Sequence, residues 1–121
     1  MNNVDFASIY FMEIAKCNYD AINGIAEFLL CSENNDNMLL RFTGVSKYMF
    51  IQSKSNCFDD SVKFFPIEDI IQKDYKNRKE FQLTEKKSKK VFEEFQYNYL
   101  IDSCCSSWYI NAEDVEILSN E

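Results

Sequence analysis

Two glycines (Gly24, Gly44) and one proline (Pro66) are the whole supply of these backbone-modifying residues in a chain of 121. A backbone that cradles a phosphate, or that packs at the axis of a triple helix, needs several residues free of a Cβ. The scarcity therefore excludes collagen, proline-rich linkers and glycine-rich phosphate loops. Disorder is excluded by the opposite excess. Apolar residues make up 46% of the chain, with 7 Tyr, 11 Phe and 1 Trp. Segments that stay unfolded lack such residues, because they cannot bury enough apolar surface to offset chain entropy. The length suits one domain spanning residues 1–121, within the usual range of roughly 100 to 200 residues.

Histidine is absent, which removes Ser-His-Asp and Cys-His nucleophilic catalysis and the common His-containing zinc sites. The five cysteines (Cys17, Cys31, Cys57, Cys104, Cys105) are odd in number and form no C-x-x-C pair. A secreted disulfide framework is therefore not expected, and a reducing cytoplasm is the expected compartment. The opening MNNVDFASIYFMEIAKC carries Asp5, lacks a basic start and breaks its apolar run at Glu13, so no signal peptide is readable. No apolar stretch approaches the roughly 20 residues of a spanning helix.

Candidates for chemistry are few. Cys104-Cys105-Ser106-Ser107 gathers nucleophiles, but no base follows Lys90 and a poised thiolate needs one beside it. Buried structural thiols are the simpler reading. Adjacent acids at Asp59-Asp60, Glu68-Asp69, Glu93-Glu94 and Glu113-Asp114 could hold a cation or exchange protons, yet such pairs are common. Ser32 to Asn37 (SENNDN) lacks the glycine and the terminal glutamate of a calcium loop. No residue is assigned as catalytic, cofactor-binding or metal-ligating, and an enzyme is not expected.

For the fold, the sequence predicts an α+β domain. Phe6, Ile9, Tyr10, Glu13 and Ile14 suggest a first N-terminal helix. Asn18 is a candidate cap for a second, in which Ile22, Ile25, Ala26, Phe28 and Leu29 follow helical spacing. SENNDN reads as a loop. The β-forming runs on either side of Thr43-Gly44 predict a hairpin over about 38–53. Short strands are read at 61–65 and 81–83, with a helical turn or two over Ile67 to Tyr75 between them. A long helix is predicted over about 85–104, capped by Thr84, with Val91, Phe92, Phe95, Tyr99 and Asp102 on neighbouring turns. Residues 107–111 look extended, and 112–118 fit a strand or one helical turn.

Charge is unevenly spread. Residues 1–72 hold five bases and ten acids, 73–90 hold eight bases and three acids, and 91–121 hold seven acids and no base; the whole chain is at -7. The basic stretch (Lys86 to Lys90 above all) invites a nucleic-acid reading, but the chain is acidic and has only two arginines. A lysine-rich solvated turn is the simpler account. In the C-terminal quarter, acids alternate with aromatics. We therefore expect a surface for a basic protein partner, with Glu93, Glu94, Asp102, Glu113, Asp114 and Glu116 supplying the field and Trp108 or Tyr109 the anchor. The competing account is a solvated acidic face over core aromatics.

A small, acidic, glycine-poor, aromatic-rich chain with no catalytic set resembles the immunity proteins of bacterial toxin systems, including those of contact-dependent growth inhibition. The resemblance lies in composition and charge layout over the whole chain, with no motif to transfer. It implies an inhibitor that neutralises a cognate toxin domain, often a basic nuclease, with no cofactor, no nucleic acid and no membrane. A phage or viral inhibitor of a host nucleic-acid-binding protein, and a regulatory or structural subunit that inhibits nothing, are the alternatives. A small enzyme ranks behind these.

Overall fold

The computed structural model of the chain describes residues 4–32, 34, 36–52, 66–83, 90–103 and 106–119. Nine strands carry the described fold: β1 (Glu13–Asp20), β2 (Ile25–Cys31), β3 (Asn37–Thr43), β4 (Lys47–Gln52), β5 (Ile67–Asp74), β6 (Lys79–Gln82), β7 (Tyr99–Ser103), β8 (Ser106–Asn111) and β9 (Asp114–Ser119). A 3-10 turn at Phe6–Ile9 precedes them, and one short helix, α1 (Lys90–Glu94), lies between β6 and β7. The strands form two antiparallel sheets, ordered β1-β2-β3-β9 and β4-β8-β7-β5-β6. This overturns the α+β expectation with its N-terminal helices and its long helix over 85–104.

The N-terminal helices fail because the buried positions of β2 alternate. Ala26, Phe28 and Leu30 are buried while their neighbours are only partly so, a period of two that a half-buried strand requires. Ile22, which completed the helical stripe, is 95% exposed at the β1–β2 tip. Asn18 lies within β1 and caps nothing. Residues 67–74, read as helical turns, form β5.

The tip repeats later in the chain. Asp20 faces Ile25 and Asp74 faces Lys79 in register, each pair enclosing four residues. In the first loop one Asp20 carboxylate oxygen accepts from the Ile22 and Asn23 amides at 3.0 and 3.2 Å, and the other from Asn23 Nδ2 at 2.6 Å. In the second, Asp74 does the same for Lys76, Asn77 and Asn77 Nδ2 at 3.1, 3.2 and 2.7 Å. Both loops end in the left-handed region, at Gly24 (φ 64°) and Arg78 (φ 55°). Aspartate suits this turn because its short side chain bonds backbone amides two and three residues on. Both carboxyls are held below the usual range, first by their asparagine side chains.

The expected hairpin over 38–53 is also corrected. Both strands exist, but β3 pairs with β2 and β9 whereas β4 pairs with β8. Thr43 faces Asp114 and Lys47 faces Asn111, so β3–β4 and β8–β9 form one two-stranded ribbon that bends from the first sheet into the second. Three residues on one strand oppose two on the other, which is a bulge, a usual device for a sheet corner. Gly44 makes the bend at φ 63°. The Glu113 amide donates to the Thr43 and Gly44 carbonyls at 3.0 and 3.2 Å, and Val45 N to Gly24 O at 2.9 Å. Opposite this corner, an antiparallel bridge between Glu13 and Pro66 joins the sheets again.

The sheets pack face to face. Phe28 meets Trp108 at 5.5 Å between centroids and Phe42 meets Tyr99 at 4.9 Å, both edge-on. All five residues of β7 are buried. Its outer face is covered too, because Met49, Tyr109, Leu100 and Ile71 form a cross-strand row on which Phe92 and Tyr97 pack. A strand covered on both faces loses its alternation, and the Val91–Phe92–Phe95–Tyr99 pattern read as one long helix instead contains α1, a turn and a strand. Thr84, the 61–65 strand, Cys57, Cys104, Cys105 and most of the Lys86 to Lys90 run lie outside the described residues. No helix among the described residues is long and apolar enough to cross a membrane.

Candidate functional site

The residues expected at a partner surface do not stay together. Trp108 is buried because Ser106, Trp108 and Ile110 are the inward positions of β8; it sits between Phe28 and Phe50. Asp102 is buried on β7 directly opposite Asp69 on β5, itself buried. Ser107 Oγ donates to Asp102 at 2.8 Å and Gln82 Nε2 to Asp69 at 2.9 Å. The sequence had grouped Asp69 with Glu68, its chain neighbour; cross-strand register pairs it with Asp102 instead. Tyr109 is half-buried on the outer face, 5.5 Å from the Tyr97 ring. Glu116 accepts from Arg41 at 3.3 Å while Arg41 Nε binds Glu27 at 2.9 Å, so this acid serves a three-strand ion pair across β2, β3 and β9. Asp102, Trp108 and Glu116 are thus tied into the fold rather than offered to a partner.

Glu93, Glu94 and Glu113 remain exposed, and the fold brings their segments to one end of the molecule. After α1 the chain turns through Gln96 (φ 55°), and Asn98 locks onto the corner. Asn98 Nδ2 donates to Ala112 O at 2.7 Å and Ala112 N donates to Asn98 Oδ1 at 3.0 Å. Lys47, at the start of β4, reaches Phe95 O at 3.5 Å and lies 6.0 Å from the Tyr97 ring centre. Phe95, adjacent to Glu94, is 53% exposed. Glu93 lies 3.9 Å from Lys73, a separation at which an exposed pair is weak. Asp114, half-buried, accepts from the Val115 amide at 2.9 Å. The exposed acids are therefore Glu93 and Glu94 next to Phe95 in the chain, and Glu113 on the corner to which Asn98 and Lys47 tie that segment.

The far end of the first sheet presents a different site that the sequence did not flag. A cavity of about 470 Å³ opens beside Tyr10, Phe11, Glu13, Cys31, Ser32 and Asn34, within the size range of ligand sites. Phe11 takes φ 64°, where a non-glycine residue carries roughly 1–2 kcal/mol of strain. The surrounding backbone fixes it there. Phe11 N donates to Ile67 O at 3.0 Å, Met12 N to Ile9 O at 3.1 Å and Ile67 N to Met12 O at 2.9 Å. Phe11 is 56% exposed and meets Tyr10 edge-on, with centroids 4.5 Å apart. Read as part of a helix, the Tyr10-Phe11 dipeptide gave no hint of this turn, since nothing in the apolar spacing marks a positive φ.

A third opening, of about 240 Å³, separates the free edges of β1 and β4 and is lined by Cys17, Phe50, Gln52 and Trp108 among others. The Tyr19 and Tyr48 rings stack across one end at 4.3 Å, and the Tyr48 hydroxyl lies 4.0 Å from the exposed Cys17 Sγ. Burial, then the Cys17 thiol beside it, pushes Tyr48 well above the ordinary phenol range. The Trp108 indole lies near enough to Tyr48 to oppose that shift, although its N–H makes no hydrogen bond of good geometry. No group of three His, Cys, Asp or Glu side chains among the described residues is placed to hold a metal ion. Neither protein-family models nor curated proteins nor solved structures give a match to the chain.

Proposed function

We propose that this chain is an inhibitor of the immunity-protein kind, acting in the cytoplasm by binding and neutralising a basic toxin domain. The observation that carries the proposal is the end of the molecule where the α1 segment is tied to the sheet corner, with Glu93, Glu94 and the half-exposed Phe95 on the one and exposed Glu113 on the other. Complementary charge speeds encounter and excludes wrong partners, while a partly buried aromatic supplies affinity on docking. A nuclease cleft, built to attract phosphates, would meet carboxylates where it expects them. The uniformly acidic composition of residues 91–121 adds to the field.

The test has two arms. Co-expression with a toxic domain encoded beside this chain should restore growth, and binding should fall on the order of nanomolar. The triple variant Glu93→Gln, Glu94→Gln, Glu113→Gln should then associate about tenfold more slowly at low salt, with a shallower salt dependence. Failure to neutralise any such domain overturns the function. Full neutralisation with unchanged association kinetics overturns only the placement of the surface.

A further inference from the structure

We infer that the cavity at Tyr10, Phe11 and Glu13 is a receptor for a cationic side chain, lysine or arginine, of a partner protein. Its chemistry is selective. Among the described residues, the one charged group lining it is Glu13, an acid on an exposed position of β1. Tyr10 and Phe11, whose rings are set at 62° to one another, line the same cavity, and a cation over a ring face is drawn to its negative quadrupole. Among the described residues Glu13 forms no ion pair. The backbone invests strain at Phe11 to hold this ring half-exposed. Strained residues that a rigid surround over-determines concentrate at binding sites. At -7 the chain as a whole also attracts a basic partner.

The cavity is separate from the α1 corner. It lies at the Glu13 and Cys31 end of the β1–β2 pair, whereas the β1–β2 tip contacts the corner through Gly24 and Val45. The length of β1 puts the two on the order of 20 Å apart. Binding here rests on this cavity alone and stands whether or not the protein neutralises a toxin.

The experiment titrates the isolated protein with N-acetyl-lysine methylamide and with N-acetyl-arginine methylamide, followed by NMR. N-acetyl-norleucine methylamide serves as the neutral control. The cationic probes should shift the Tyr10, Phe11, Glu13 and Cys31 signals saturably, with dissociation constants on the order of 1–10 mM, while the norleucine probe leaves them unmoved. Glu13→Gln should weaken binding about fivefold. Phe11→Gly should abolish it; glycine accepts the positive φ without strain, and an unchanged Trp108 emission would confirm that the fold is kept. The inference is overturned if the cationic probes fail to shift these signals, if the neutral probe binds as well as they do, or if both variants bind like the parent.

Discussion

Replacing Gly44 by alanine tests the sheet corner directly. Alanine at φ 63° costs roughly 1–2 kcal/mol in the left-handed region. Removing a glycine from the unfolded chain returns about 0.4–1 kcal/mol. The larger part is steric. A Cβ on residue 44 would lie 2.7 Å from Cβ, Cγ and Cδ of Glu113, against an ordinary carbon contact of about 3.5–4.0 Å. Cγ and Cδ of an exposed side chain can rotate away. Cβ cannot, because the Glu113 amide is fixed to the Thr43 and Gly44 carbonyls. The strand must therefore shift, which adds roughly 1–3 kcal/mol. Gly44→Ala should destabilise by about 3 kcal/mol in all, but by only about 1 kcal/mol when Glu113→Gly has removed the obstacle. For 121 residues these losses lower Tm by about 12 °C and 4 °C. Urea and thermal melts followed by the emission of the single, buried tryptophan, Trp108, would measure both. Equal costs in the two backgrounds, with coupling below about 0.5 kcal/mol, would refute the steric account of the bend.

The twin hairpin tips give two further tests. Arg78→Gly should stabilise by about 0.5–1 kcal/mol in urea melts, because Arg78 takes the same left-handed turn position that Gly24 fills without strain. Any loss would mean that the Arg78 side chain contributes more than its backbone costs. The carboxyls of Asp20 and Asp74 are held below the ordinary range by hydrogen bonds to Asn23 and Asn77. A folded pKa below the unfolded one gives stability that is present above about pH 4 and is lost as pH falls through the lower folded value. The double variant Asp20→Asn, Asp74→Asn should accordingly have a lower urea midpoint at pH 7 and a shallower decline between pH 4 and pH 2 than the parent. Parallel pH curves would show that the turn carboxylates are not what acid titrates.

Much of the strand content was legible in the residues, but two coincidences of period concealed it. Ile25, Ala26, Phe28 and Leu29 satisfy helical spacing, and Ala26, Phe28 and Leu30 satisfy alternation equally well; only burial separates them. The deciding local signal was Asn23-Gly24, a strong hairpin dipeptide, and its echo in Asp74 to Arg78 showed that the turn did not depend on glycine. For β5 and β7, a second covering layer erased the alternation that marks a strand, so Ile67, Ile70 and Ile71 looked like a helix face. The β3–β4 strands were found and their pairing was not, since partner choice depends on β8 and β9, more than 50 residues away. The site followed the same division. Exposure of Glu93, Glu94 and Glu113 agreed with their sequence, whereas the burial of Asp102 and Trp108 was set by which face of a strand they occupied. The Tyr10–Phe11 cavity depends on one positive φ, which no spacing reveals.

The corner joins stability to the proposed docking surface through a single contact. The stem of Glu113 lies directly over Gly44, so the glycine that permits the bend also makes room for the acid. Its neighbour Asp114 is held to the Val115 amide, and Asn98 binds the same arm of the corner at Ala112. Charges fixed in this way lose little conformational freedom when a partner arrives, and preorganisation of that kind raises affinity without a new contact. An alanine at residue 44 would displace the Glu113 stem as well as strain the backbone. Below its melting temperature the Gly44→Ala protein should therefore bind the basic partner more weakly than Glu113→Gln does, because it misplaces a charge and loosens the bend that carries Asp114. Affinity equal to the parent in a folded Gly44→Ala protein would separate the corner from the docking surface and leave the acids of α1 to act alone.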